Sequence, residues 1–414
     1  MHQALPTVSL TEPCEPLTSP SIDIQLPLPT DFLRSAKASP PSTGFVAFGD
    51  SYSAGIGTGF NGSENACRRG LGAYPKLIHR DFTSLVGPHE SSFQHLACTG
   101  ATLQDVLSSG NKSHPSQIDD FNTTADFALL SIGGNDLGFF DIMNSCIFRF
   151  YSFYSGTCDA ALARSEAAIQ DPAFAQDLRR AIVQILERVR WERRFWFTVT
   201  VTGYARFFND ETDECDHCSL GVWWRGPKLK RKLRKRMNEM VVSVNRKIRE
   251  SVDEVNRSFA VPRVLFVDYD AAFEGHRFCE PNVTEPDYAR NETWFFHVGG
   301  QDNGDNWNSS LPLKPSPPEH DDPDDHDTDE PSISPESSLV DPDTCLEPAE
   351  RSRDWGQLAL CLMAKAVRED PTIMSAQGGI VAQNSMWHAP TYYGKTFHPV
   401  GLLKFVFSSQ RIYC

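Results

Sequence analysis

The chain has 414 residues, 40% of them apolar and 22% charged, with a formal net charge of −15. That length suffices for one large core or two ordinary domains, and no apolar run approaches the roughly 18 residues that span a bilayer. An acidic balance argues against nucleic acid as a partner, although thirteen of the carboxylates crowd into residues 319–350, where no Lys or Arg occurs, so the remainder is close to neutral.

Residues 1–42 are rich in Pro, Ser and Thr without periodicity, and read as an extended arm rather than a domain. The apolar run Phe45-Val46-Ala47-Phe48 has the pattern of a parallel strand buried on both faces. Gly49 ends it, and Asp50-Ser51-Tyr52-Ser53 follows. A serine there sits at the carboxyl end of a sheet, where open α/β folds keep their chemistry; alone, such a serine more commonly caps a helix or turn. A loop then leads into a short helix around residues 74–78, with Pro75 in its first turn. A second strand covers 93–97 and runs into Cys98-Thr99-Gly100-Ala101. A third, 126–132, ends in Gly133-Gly134-Asn135-Asp136.

Residues 137–150 are strongly apolar, and Cys146 and Cys158 bracket Phe148, Phe150, Tyr151, Phe153 and Tyr154. Two readings stand: a bridge pinning an aromatic loop over the site, or aromatic core beneath a loop. Phe174, Leu178, Ile182, Ile185, Leu186 and Val189 recur at helical spacing and predict a helix over 174–190. The β-rich run 195–202 predicts the fourth strand and 263–268 the fifth. Between them, Cys215 and Cys218 form a C-x-x-C in an acidic loop, read as a structural bridge to an unspecified partner because His217 alone does not complete a zinc site. Residues 227–259 predict a long amphipathic helix whose basic start, KLKRKLRKR, suits either a solvated outer face or contact with an anionic surface. Residues 302–350 are a low-complexity acidic insertion, read as a solvated spacer. A short helical pattern resumes at 354–367, and His398 precedes a last apolar stretch, 401–407.

Gly49-Asp50-Ser51, the lone Gly100, Gly133-Gly134-Asn135-Asp136 and the late His398 resemble, in order, the four sequence blocks of the SGNH (GDSL-like) esterase and lipase family. The resemblance runs from residue 45 to about 407, and the first and third blocks together are far more specific than either alone. It implies a three-layer α/β/α sandwich with a parallel, flavodoxin-like sheet of about five strands, forming one catalytic domain over 43–414 interrupted by the acidic insertion. It also implies a serine esterase or lipase: Ser51 as nucleophile, His398 as base, and an oxyanion hole from the N–H groups of Ser51 and Gly100 and the Asn135 amide, with no cofactor and no metal. A carbohydrate O-acetyl esterase, or a non-catalytic glycan- or lipid-binding protein on the same fold, are the alternatives. The expected partner is a small-molecule, lipid or glycan ester, and the expected state a monomer.

One departure from the family stands out. An acidic residue usually sits three positions before the histidine; here the position is Lys395. Two substitutes are open: the Lys395 carbonyl holds the imidazole, or a carboxylate such as Asp268 or Asp270 reaches in. The family order makes His276 structural or cleft-lining rather than the base. Cys67 and Cys98 are placed like the first disulfide of secreted family members. Eleven cysteines and seven N-x-S/T sequons, at Asn61, Asn111, Asn122, Asn256, Asn282, Asn291 and Asn308, point to an oxidising, secretory route. The first seventeen residues hold no apolar signal-peptide core, so that expectation rests on the cysteines and sequons.

Overall fold

A computed structural model describes residues 43–61, 65–86, 91–109, 116–148, 157–220, 227–287, 290–297 and 391–400. The expectations for 1–42, 149–156, 302–350, 354–367 and 401–407 lie outside the described residues.

Five strands form one sheet: β1 (Thr43–Gly49), β2 (Ser91–His95), β3 (Phe127–Ser131), β4 (Thr198–Thr202) and β5 (Val264–Val267). Their order is β2-β1-β3-β4-β5 and every pairing is parallel. Successive side chains on a strand point to opposite faces, yet Phe45, Val46, Ala47 and Phe48 are all fully buried, so both faces of β1 are covered. The register sets Phe45 between Phe93 and Phe127, each ring 4.8 Å from its own, a lateral aromatic row that fixes the three strands against slippage. The result is the α/β sandwich expected from the sequence. Chain order reverses direction between β1 and β3, and the crevice at their carboxyl ends is where open α/β sheets place their sites.

The helices follow their apolar stripes. In Pro172–Arg188 the Asp171 side chain accepts the N–H of Ala173 and Pro172 takes the first turn, while Phe174, Leu178, Ile182 and Ile185 face the core. The long helix is Arg231–Asn256, with Met237, Val241, Val244, Ile248 and Val252 buried. One member of its basic run, Arg234, is fully buried, its guanidinium donating to the carbonyls of Leu229 and Thr212 and to Asp216. Two features depart from the sequence expectations. Helix Cys158–Gln170 was not foreseen, and β4 starts at Thr198 rather than 195 because its β3 partner begins at Phe127, leaving Phe195 and Trp196 exposed.

Disulfides join Cys67 to Cys98, Cys146 to Cys158 and Cys215 to Cys279. Cys215 thus takes a partner 64 residues away, and Cys218 has no disulfide partner among the described residues. Replacing Cys67 and Cys98 together by serine is expected to lower stability by about 2–4 kcal/mol. Urea unfolding measures this, and an unchanged midpoint would show that the bridge constrains nothing.

Candidate active site

The turn after β1 is shaped by Gly49, whose φ of +131° lies where L side chains rarely go. A Cβ there would come within 2.0 Å of the Ser131 carbonyl oxygen. Gln117 clamps the same residue, its side-chain amide accepting from Gly49 N–H at 2.8 Å and donating to Gly49 O at 2.9 Å. Asp50 then caps the one-turn helix Ser51–Ala54 by accepting the N–H of Tyr52 at 3.0 Å. Ser51 is the first residue of that helix, so its N–H has no intrahelical acceptor and the dipole's positive end lies beside its hydroxyl.

His398 arrives from the other end of the chain. Its Nε2 lies 2.7 Å from Ser51 Oγ, and its Nδ1 lies 3.1 Å from the Lys395 carbonyl and 3.2 Å from that of Thr396. A carbonyl can only accept, so Nδ1 carries the proton and donates, leaving Nε2 to accept the serine hydroxyl. Burial pushes the imidazole down to about 4, with the two carbonyls opposing that shift. Phe397 sits at φ +63°, an uncommon conformation for a non-glycine residue, and is held by Tyr52, whose hydroxyl donates to its carbonyl at 2.8 Å. The Tyr52 ring also packs 4.8 Å from the imidazole. Of the two carboxylates considered for the missing acid, Asp270 is engaged by Arg206 at 2.7 Å and Arg277 at 3.3 Å, and Asp268 by Arg249 at 3.7 Å. Lys395 is itself buried, its ammonium 5.3 Å from the centre of the Phe296 ring. His276 is remote from this arrangement in its bonding: it stacks on Trp294 at 3.6 Å and pairs with the Glu292 carbonyl at 2.7 Å.

The loop after β3 closes the site. Asn135 donates through Nδ2 to the Ala101 carbonyl at 2.8 Å, and the Asp136 carboxylate accepts the N–H of Leu103 at 3.0 Å. Both bonds tie this loop to the loop of Gly100, which turns at φ +87°. Beneath lies a buried polar cluster. The Tyr204 hydroxyl accepts Gly134 N–H at 3.1 Å and approaches Asp50 Oδ2 at 3.4 Å. Burial, the dominant cause, raises both Asp50 and Asp136 to about 7.

An apolar pocket opens from Ser51 and Asn135. Leu137, Phe139 and Ile142 form one wall, Met237, Met240, Val241 and Val244 of the long helix another, and Ile169 and Phe207 complete it. Ile169 belongs to the helix that sequence reasoning missed. Such a surface is suited to an extended hydrocarbon. Sequence reasoning also passed over Tyr52 and Gln117. Tyr52 stood inside the motif and was readable as more than filler; Gln117 carried no local signal, since its clamp acts across 68 residues.

Residues 47–299 match the GDSL-like Lipase/Acylhydrolase family. A lipase of Streptomyces rimosus is 30% identical over 252 residues, covering 60% of this chain and 79% of that protein. Lipase 1 of Streptomyces coelicolor is 32% identical over 179 residues, 42% of this chain and 58% of the other. Among solved structures, phospholipase A1 from Streptomyces albidoflavus is 26% identical with a TM-score of 0.45, over 62% of this chain and 87% of that one. The extracellular lipase of Streptomyces rimosus is also 26% identical, with a TM-score of 0.43, over 59% and 89%.

Proposed function

Because the chain belongs to the GDSL-like lipase/acylhydrolase family, whose members hydrolyse ester bonds, we propose that it is a secreted serine lipase working through a Ser51–His398 dyad on esters with extended acyl chains. The observation that carries this reading is the 2.7 Å contact between Ser51 Oγ and His398 Nε2 beside an apolar pocket.

In this mechanism His398 Nε2 takes the hydroxyl proton as Ser51 Oγ attacks the ester carbonyl. Negative charge develops on the former carbonyl oxygen, and the N–H groups of Ser51 and Gly100 and the second N–H of Asn135 Nδ2 receive it. Each such donor supplies about 3 kcal/mol in the transition state. His398 returns the proton to the leaving alcohol as the tetrahedral centre collapses to an acyl-serine. Water, deprotonated by the same imidazole, then releases the acid and restores the hydroxyl. The carbonyls of Lys395 and Thr396 do the acid's orienting work: they hold the Nδ1–H tautomer and stabilise the transient imidazolium through their dipoles.

The pocket favours long acyl groups over acetate. Octanoate adds six methylenes to acetate, and at about 0.8 kcal/mol for each one buried the difference reaches several kcal/mol. Three disulfides among the described residues support an oxidising, extracellular destination. The meeting of Ser51 with a residue beyond the acidic stretch supports one catalytic domain with an insertion rather than two.

Hydrolysis of p-nitrophenyl esters from acetate to palmitate tests the reading. The expected kcat/KM rises from acetate to a medium chain, Ser51→Ala removes it, and Val241→Trp moves the optimum back towards acetate by filling the pocket. Inertness of the wild type across the series would favour the binding-protein alternative. A steady preference for acetate that Val241→Trp does not alter would favour the O-acetyl esterase.

A further inference from the structure

In a parallel sheet all strands begin at one end, and the end opposite Ser51 carries a second concavity. It lies where β3 and β4 start, is about 600 Å³ in volume and open, and is lined by Phe121, Asn122 and four arginines: Arg188, Arg190, Arg193 and Arg194. A strand of five residues places it at least ~13 Å from the catalytic end.

Two of the four arginines are anchored and two are not. Arg188 donates to the Asp119 carbonyl at 3.3 Å and Arg194 to that of Ala125 at 3.0 Å, which orients their guanidinium groups while leaving N–H donors to spare. Arg190 and Arg193 are exposed, and neither side chain has a hydrogen bond or ion pair among the described residues. Glu187 and Glu192, the carboxylates of the same stretch, are not among the lining residues and pair with none of the four. The negative end of helix Pro172–Arg188 accounts for one cation in its last turn, Arg188. The other three follow it in and around the short 3-10 helix Trp191–Arg193, where Arg190 precedes the first turn at φ +54°, a conformation that costs free energy for a non-glycine residue. None of the four guanidinium groups pairs with a carboxylate among the described residues, so an anion in the concavity would relieve their mutual repulsion. The planar fork of arginine fits phosphate oxygens bidentately, and the volume accommodates more than one phosphate group.

We propose that this concavity binds a ligand carrying clustered phosphate groups, independently of the ester-hydrolysing site. Phe195 and Trp196, exposed by 58% and 43%, directly follow the arginines. They offer an apolar rim to the body of such a ligand, and Trp196 gives it an optical reporter.

The experiment titrates the full chain with inositol hexakisphosphate, by calorimetry and tryptophan fluorescence. It is run before and after enzymatic removal of N-glycans, since Asn122 opens a sequon at the rim. Saturable binding is expected, weakened at least about tenfold in Arg190→Ala/Arg193→Ala, with melting temperature and p-nitrophenyl ester hydrolysis unchanged. Phosphatidylcholine vesicles with and without phosphatidylinositol bisphosphate separate the sources. Arginine-dependent vesicle binding assigns a lipid headgroup; binding of the soluble phosphate alone assigns a free ligand. Absence of both overturns the proposal. So does binding that survives the double arginine variant but is lost in Lys232→Ala/Lys235→Ala on the basic helix.

Discussion

Replacing His398 with alanine is expected to lower kcat on a p-nitrophenyl ester by roughly four to six orders of magnitude, with KM changed only a few-fold. Without a base at 2.7 Å from Oγ the hydroxyl must ionise unaided, whereas the acyl pocket that sets binding is untouched. The pH profile carries the finer expectation. Only the neutral imidazole accepts a proton, so activity falls as acid titrates His398, and burial has lowered that titration to about 4. The acid limb of kcat/KM in the wild type should therefore bend near pH 4 to 5, well below the ~6.5 of an exposed histidine. An inflection at 6.5 or above would mean that a carboxylate, or bulk water, reaches the ring in the working enzyme. Lys395→Met is the companion variant: the orienting contact comes from the main chain, so the loss should stay within about tenfold. Replacement of the triad aspartate in serine proteases, by contrast, costs about 10⁴.

How much of this was legible beforehand follows from how local each signal is. Gly49 stands where the turn leaves no room for a Cβ, and Gly100, singled out as the family's lone glycine, takes a positive φ that favours glycine. Ser51 and Asn135 were singled out by their place in the family's sequence blocks, and each follows the end of a buried strand. What orients His398 was left between two answers, since whether a carbonyl or a carboxylate lies nearest Nδ1 depends on loop geometry that side-chain identity does not encode. The start of β4 was misjudged for a similar reason. The aromatic residues 195 and 196 have strand propensity, but a strand needs a partner, and β3 has none to offer before Phe127. Helix Cys158–Gln170 was hidden by its weak amphipathicity: only Ala161, Leu162, Ser165 and Ile169 are buried, two of them small or polar. Arg234 was counted with a solvated basic run because charge alone does not reveal that three carbonyls and Asp216 wait to receive it.

Asn135→Ala is expected to reduce kcat by about 10²–10³ with little change in KM, the signature of a donor used only when charge has moved onto the substrate oxygen. One N–H of its amide is committed to the Ala101 carbonyl at 2.8 Å, and Asn135 lines the same pocket as Ser51. Truncation therefore removes both a donor and the brace that ties the β3 loop to the Gly100 loop. Asn135→Asp removes both as well, since a carboxylate cannot donate to the Ala101 carbonyl. It keeps the shape of the side chain but supplies no N–H, and places a carboxylate where an oxyanion must form, so its loss should equal or exceed that of alanine. If aspartate were instead better than alanine, neither the donated N–H nor the bond to Ala101 would account for the residue's effect. In the Ser51→Ala background, where no tetrahedral oxyanion forms through the enzyme, the further change at Asn135 should add almost nothing. Full additivity of the two losses would separate the amide from the serine's reaction and leave the N–H groups of Ser51 and Gly100 as the whole oxyanion hole.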